Sequence, residues 1–164
     1  IYGDDFCQGI RDGHELKMFI PGGGSAPWFF NEHLNLPLEA RPVGAAGSML
    51  GSGAIVVMDE TTDIVRATYI LMRFFHHESC GQCSVCREGT GWVAGILARI
   101  EDGHGEPDDL ATLNSIDPNM RGNTICVLSD ACAMMFGAFV NKFRSEFEAH
   151  IEGGRCPLGS PYPA

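Results

Sequence analysis

The apolar positions change period once along the chain, and the change divides it in two. In residues 1–60 they come as short runs broken by glycine and proline. Leu16-Lys17-Met18-Phe19-Ile20 predicts a strand closed by Pro21-Gly22-Gly23-Gly24. Ala54-Ile55-Val56-Val57-Met58 predicts a second, entered from the glycine-rich residues 47–53. Residues 31–34 suit a short helical turn between them. After this the spacing becomes helical. Thr62 predicts the N-cap of a first helix, with Ile64, Tyr69, Leu71, Phe74 and Phe75 on its apolar face. A second helix is predicted over residues 88–101, where Trp92, Val93, Ile96, Leu97 and Ile100 recur, with Gly103 as its stop. A short third helix is expected near Pro107, with Leu110, Leu113 and Ile116. The fourth is expected to be the longest. Ser129 caps it, Asp130 suits its positive end, and Phe136, Phe139, Val140, Phe143, Phe147 and Ile151 form one core stripe before Gly153-Gly154. Four helices with short connections predict a small antiparallel bundle. The expected class is α+β, with a small mixed module over residues 1–60. The bundle follows over residues 61–164, ending in an extended, proline-rich tail.

Composition narrows the function. The chain has 164 residues and 45% apolar side chains, enough for a real core. It has no run of 18 apolar residues, so no membrane span is expected. With 21 acidic against 11 basic residues the formal charge is −10, which argues against a nucleic-acid footprint. The chain begins with Ile1, no signal peptide follows, and the natural reading is a piece of a longer polypeptide. It holds seven cysteines: Cys7, Cys80, Cys83, Cys86, Cys126, Cys132 and Cys156. Three of them are clustered, and without a secretory signal a reducing compartment with metal-bound thiolates fits better than disulfides.

The segment Glu78-Ser79-Cys80-Gly81-Gln82-Cys83-Ser84-Val85-Cys86-Arg87-Glu88-Gly89 carries the chemistry. Two C-x₂-C steps share a middle cysteine, a spacing that wraps three thiolates around one face of a cubane cluster. Tetrahedral zinc more often uses two separated C-x₂-C pairs, and a redox disulfide has no use for the third cysteine. Gly81 and Gly89 let backbone approach the sulfurs. The start of a helix and the charge of Arg87 favour the reduced cluster, unless Arg87 is only a surface ion-pair partner of Glu88 or Asp102. His76 and His77 read as the polar end of a helix. The Gly22-Gly23-Gly24-Ser25 run lacks a Walker lysine and reads as a turn. A fourth thiolate is needed, and Cys126, Cys132 and Cys156 compete for the role. Cys132 falls inside the predicted fourth helix. Cys156-Pro157 has the look of a ferredoxin closure but lies far past the triplet. Cys126 lies in an irregular stretch just before a helix N-terminus, which helps hold a thiolate. Cys7 and Cys132 taken singly are ordinary buried thiols.

Residues 78–83 and Cys86-Arg87-Glu88-Gly89-Thr90-Gly91-Trp92 resemble the cluster motif of the NADH-binding flavoprotein subunit of respiratory complex I, an NADH:quinone oxidoreductase. Ile20-Pro21-Gly22-Gly23 and residues 46–53 resemble the ubiquitin-like β-grasp (soluble-ligand-binding) module of the same family. Thr124-Ile125-Cys126 resembles the segment that supplies its fourth ligand. The resemblance implies a [4Fe–4S] cluster on Cys80, Cys83, Cys86 and Cys126, with Cys156 in reserve. It implies one-electron transfer from NADH through FMN toward quinone. It implies as partners a thioredoxin-like [2Fe–2S] subunit and a large iron–sulfur subunit. The location it implies is cytoplasmic and peripheral to the inner membrane, or the matrix side in a mitochondrion. FMN and NAD belong to a domain whose glycine-rich flavin loop is not in this sequence. No catalytic residue is therefore assigned, and this stretch alone is not expected to oxidise NADH. The same architecture recurs in NAD-reducing hydrogenases and NAD-dependent formate dehydrogenases; a structural zinc module for assembly is the rival from another class.

Two expectations concern residues 1–60. This module has no convergent charged groups and is expected to bind no small ligand tightly. Trp28, Phe29 and Phe30 suit an exposed contact with a partner, or else the module's own core.

Overall fold

A computed structural model describes residues 8–154, so Cys7, Cys156 and the tail lie outside the described residues. The chain divides into two compact units, Ile1–Thr62 and Asp63–Ala164. Among the described residues it has two strands and six α-helices, and the α+β class holds.

In the first unit, β1 (Leu16–Ile20) pairs antiparallel with β2 (Val56–Asp59). The register sets Phe19 opposite Val57 and Ile20 opposite Val56. Leu16, Met18 and Ile20 point inward, as the two-residue period of a half-buried strand requires. Phe19 also bridges Phe29, and the Phe29 ring stacks on His33 with centroids 4.4 Å apart. Residues 31–33 form a 3₁₀ turn, and α1 (Ala40–Ala45) follows. The glycine runs meet backbone to backbone. A Cβ on Gly22 would stand 2.2 Å from the Met49 carbonyl oxygen, and one on Gly51 2.2 Å from that of Gly22. The Ser52 N–H donates to the Gly22 carbonyl at 3.1 Å. The glycines are thus consumed in packing two turns together. Trp28 and Phe29 are buried, at 3% and 2% exposure, so the exposed-contact expectation is corrected for both. They fill the module's own core, where their apolar area is removed from water.

The second unit is helical: α2 (Ile64–Glu78), α3 (Ser84–Glu101), α4 (Asp109–Met120), α5 (Leu128–Lys142) and α6 (Arg144–Gly153). Asp63, not Thr62, caps α2, accepting from the Arg66 N–H at 3.1 Å. The buried stripe of α2 is Ile64, Val65, Thr68, Met72 and Phe75, turned from the predicted face so that Phe74 is 56% exposed. Trp92 likewise points outward from α3, which is the longest helix. The predicted fourth helix is two, parted at Phe143, which ends α5 and opens α6 with φ −109° and ψ 28°. Phe136, Phe139 and Phe147 are fully buried on either side of the break. Each contributes roughly 1.5–3 kcal/mol through the apolar area it removes from water. Ser129 lies inside α5, and Val127 is its N-cap.

Candidate iron–sulfur site

The α2–α3 hairpin turns at the cysteine segment. α2 ends at Glu78, Cys83 is the N-cap of α3, and Cys86 lies in the first turn of α3. The Cys86 and Arg87 N–H groups donate to the Cys83 carbonyl at 3.1 and 2.9 Å. The partial positive end of α3 therefore sits among the three thiols. Gly81 makes the turn with φ +79°, a conformation that side chains rarely adopt.

Two side chains organise this loop. Ser79 Oγ accepts from the Gly81 N–H at 3.4 Å and lies 3.3 Å from Cys86 Sγ, so its hydroxyl hydrogen can be donated to the sulfur. The Arg87 guanidinium donates to the Gly81 carbonyl at 2.6 Å and to Glu88 at 2.8 Å. Arg87 is thus both the expected ion-pair partner of Glu88 and a strap across the cysteine loop. His76 bonds Thr90 Oγ1 at 3.1 Å, and Thr90 Oγ1 donates to the Cys86 carbonyl at 2.7 Å. His77 pairs with Glu78, so both histidines act as the polar end of α2.

Cys126 lies in the loop between α4 and α5, and both ends of that loop are fixed. Ser129 Oγ donates to the Met120 carbonyl at 3.0 Å, and the Gly122 N–H donates to Asp130 at 2.8 Å. Arg121 pairs with Asp117 and donates to the Ala133 carbonyl at 3.2 Å. Met120, which opens the loop, packs on Gly89 of α3, one turn from Cys86. The start of the loop is thereby anchored on the helix that carries Cys86. Sequence reading missed Met120 and Ser79; a hydroxyl directly before the first cysteine was the available sign for Ser79.

The cysteines differ in exposure. Cys80 and Cys126 are exposed, Cys83 is half-buried, and Cys86 and Cys132 are buried. Burial, with the neighbouring Cys86 sulfur second, pushes the Cys132 thiol up to about 12. Its S–H donates to the Ser129 carbonyl at 3.2 Å, so it packs as a neutral thiol, as its place in a helix suggested. Four thiols, three of them at C-x₂-C steps, are a donor set that fits a cubane, which offers each thiolate its own iron.

Residues 66–150 match the family model described as the NADH-ubiquinone oxidoreductase-F iron-sulfur binding region. The chain belongs to this family. The matched stretch contains Cys80, Cys83, Cys86 and Cys126, and a [4Fe–4S] cluster is the cofactor of the region. The F subunit of NADH-quinone oxidoreductase in Mycobacterium bovis is 46% identical over 94% of the chain and 35% of the relative. That of Streptomyces coelicolor is 48% identical over 94% and 34%. The chain thus spans about a third of the length of these relatives. Among solved structures, a chain of an air-oxidized NAD⁺-reducing [NiFe]-hydrogenase superposes with a TM-score of 0.75 and 26% identity, over 84% of this chain and 24% of that one.

Proposed function

We propose that Cys80, Cys83, Cys86 and Cys126 ligate one [4Fe–4S] cluster, and that the chain relays single electrons as part of an NADH:quinone oxidoreductase flavoprotein subunit. The observation that supports this reading is the cysteine triplet at the N-terminus of α3, together with the packing of Met120, at the start of the Cys126 loop, on Gly89 of that same helix. When bound, the cluster supplies reversible one-electron oxidation and reduction.

The chain's own residues tune the site. The α3 N-terminus lowers the cost of holding thiolates. Ser79 supplies a hydroxyl hydrogen to the Cys86 sulfur, and Arg87 adds positive charge; both favour the more negative, reduced state. Buried Cys86 shields one side from water, while exposed Cys80 and Cys126 leave the other open to partners. Ile125 and Val127, 83% and 77% exposed, flank Cys126 as apolar contact points.

The wider assignment rests on the relatives. FMN and NAD are taken to bind in the remainder of the subunit. A thioredoxin-like [2Fe–2S] subunit and a large iron–sulfur subunit are taken as its partners. The domain division is a β-grasp module over residues 1–60 and the cluster bundle over 61–164. Among the described residues no helix is long and apolar enough to cross a membrane, which suits a cytoplasmic or matrix-side position on a membrane complex. A second context, the NAD⁺-reducing hydrogenase, is favoured by the structural likeness but by much lower identity.

The test is anaerobic reconstitution with iron and sulfide. Four irons and four sulfides per chain, with a broad band near ~400 nm expected of thiolate–iron charge transfer, support the reading. A colourless protein that takes up one zinc and rejects iron would overturn it in favour of the structural zinc module.

A further inference from the structure

The hairpin that carries the cysteines at one end carries a different set of ligands at the other. Asp63 caps the start of α2, Glu101 closes α3, and His150 lies in the last turn of α6. One ligand atom from each lies within 4.8 Å of the other two. Glu101 is 15 residues along α3 from Cys86, so it stands roughly 22 Å away at helical rise.

The trio is oriented as a metal site requires. His150 Nδ1 lies 2.7 Å from the Glu146 carbonyl, a contact that needs the proton on Nδ1 and leaves the Nε2 lone pair for a ligand. Nε2 is 3.3 Å from Asp63 Oδ2. Ligands of tetrahedral zinc stand about 3.4 Å apart, so this edge already has the right length. The other Asp63 oxygen is engaged by the Arg66 N–H, which fixes the carboxylate. Glu101 is held on one side only. Its Oε1 accepts from Arg66 at 3.0 Å, while Oε2 is wholly buried with no hydrogen-bond partner among the described residues. The Glu101 side chain is 8% exposed and His150 1%, so solvent does not supply the missing partner.

An imidazolium at His150 would point its Nε2–H at Asp63 and still leave Glu101 Oε2 unanswered. A buried carboxylate oxygen without a partner is costly to desolvate, and burial accordingly raises the Glu101 pKa; a bound cation would relieve that cost.

We propose that Asp63, Glu101 and His150 bind a divalent ion of the zinc class, tying α6 to the α2–α3 hairpin. One imidazole and two carboxylates form a nitrogen–oxygen set that suits zinc and leaves a fourth position for water. No thiol takes part, which separates this site from the cysteines.

The experiment uses the cluster-loaded chain, stripped with a chelating resin, incubated with zinc and desalted. One zinc per chain beside four irons is expected, with a zinc X-ray absorption shell of nitrogen and oxygen only. Glu101→Gln is expected to keep its four irons and lose the zinc. Zinc absent from the desalted wild-type chain, or sulfur in its coordination shell, overturns the proposal, as does undiminished zinc in Glu101→Gln. If Glu101→Gln fails to fold, the wild-type stoichiometry and ligand shell decide the matter without it.

Discussion

Gly89 of α3 lies directly against Met120 at the end of α4: a Cβ there would stand 2.8 Å from Met120 Sδ and 2.9 Å from its Cγ. This contact brings the start of the Cys126 loop to the helix that begins among the other cysteines. Gly89→Ala is expected to push Met120 aside at a cost of about 1–3 kcal/mol, the usual range for overpacking. It should also loosen the Cys126 loop. The check is the thermal midpoint with iron retention. Met120→Ala should destabilise the Gly89→Ala chain less than it destabilises wild type, since the two residues are in contact.

Arg87 is expected to tune potential more than stability. Its ion pair with Glu88 is about half exposed, so that pair is worth roughly 0–1 kcal/mol. Its charge and its bond to the Gly81 carbonyl act beside the cysteines. Arg87→Gln should keep four irons and shift the cluster's midpoint potential negative, measured by EPR-monitored redox titration. An unchanged potential would leave Arg87 as a loop strap alone.

Cys132 has no exposure and bonds a carbonyl. Cys132→Ser is expected to retain four irons, at a stability cost of about 1–2 kcal/mol for a buried hydroxyl in a thiol's place. Iron analysis with a denaturant melt checks both.

The first unit has its own pH dependence. His14 Nδ1 is 2.7 Å from Glu60 Oε1, and the Glu15 N–H donates to Glu60 Oε2 at 2.6 Å, closing the strands beyond β1 and β2. The hydrogen bond and charge of Glu60 raise the His14 pKa above 6.5, and His14 holds the Glu60 carboxyl below 4.5. The His14 contribution is full below 6.5 and is lost as pH rises through its raised value. The Glu60 contribution is full above 4.5 and is lost as pH falls through its lowered value. The pair is therefore most stabilising between about 4.5 and 6.5. An NMR titration of His14 should give a midpoint above 6.5, and Glu60→Gln should bring it down.

The sequence made parts of this molecule legible because they obey local rules. β1 alternates buried and half-buried positions along its whole length, and its predicted limits match. The cysteine triplet announces itself by spacing alone. Other features depend on tertiary choice. Thr62 and Asp63 are both good caps, and only the observed bond from Arg66 N–H to Asp63 decides between them. Nothing at Phe143, neither glycine nor proline, warns of the break between α5 and α6. Trp28 and Phe29 sit in a stretch without periodicity, so their burial was not readable. The trio of residues 63, 101 and 150 is scattered over the chain, and only folding brings it together.

The most direct measurement is iron content and the reduced-cluster EPR signal of Cys126→Ser beside Cys156→Ser, both reconstituted anaerobically. Cys126→Ser is expected to lose the four-iron cluster or show a changed spectrum, while Cys156→Ser keeps four irons and the wild-type signal. Four irons and an unchanged spectrum in Cys126→Ser, with loss in Cys156→Ser, would contradict the ligand set on which this account rests.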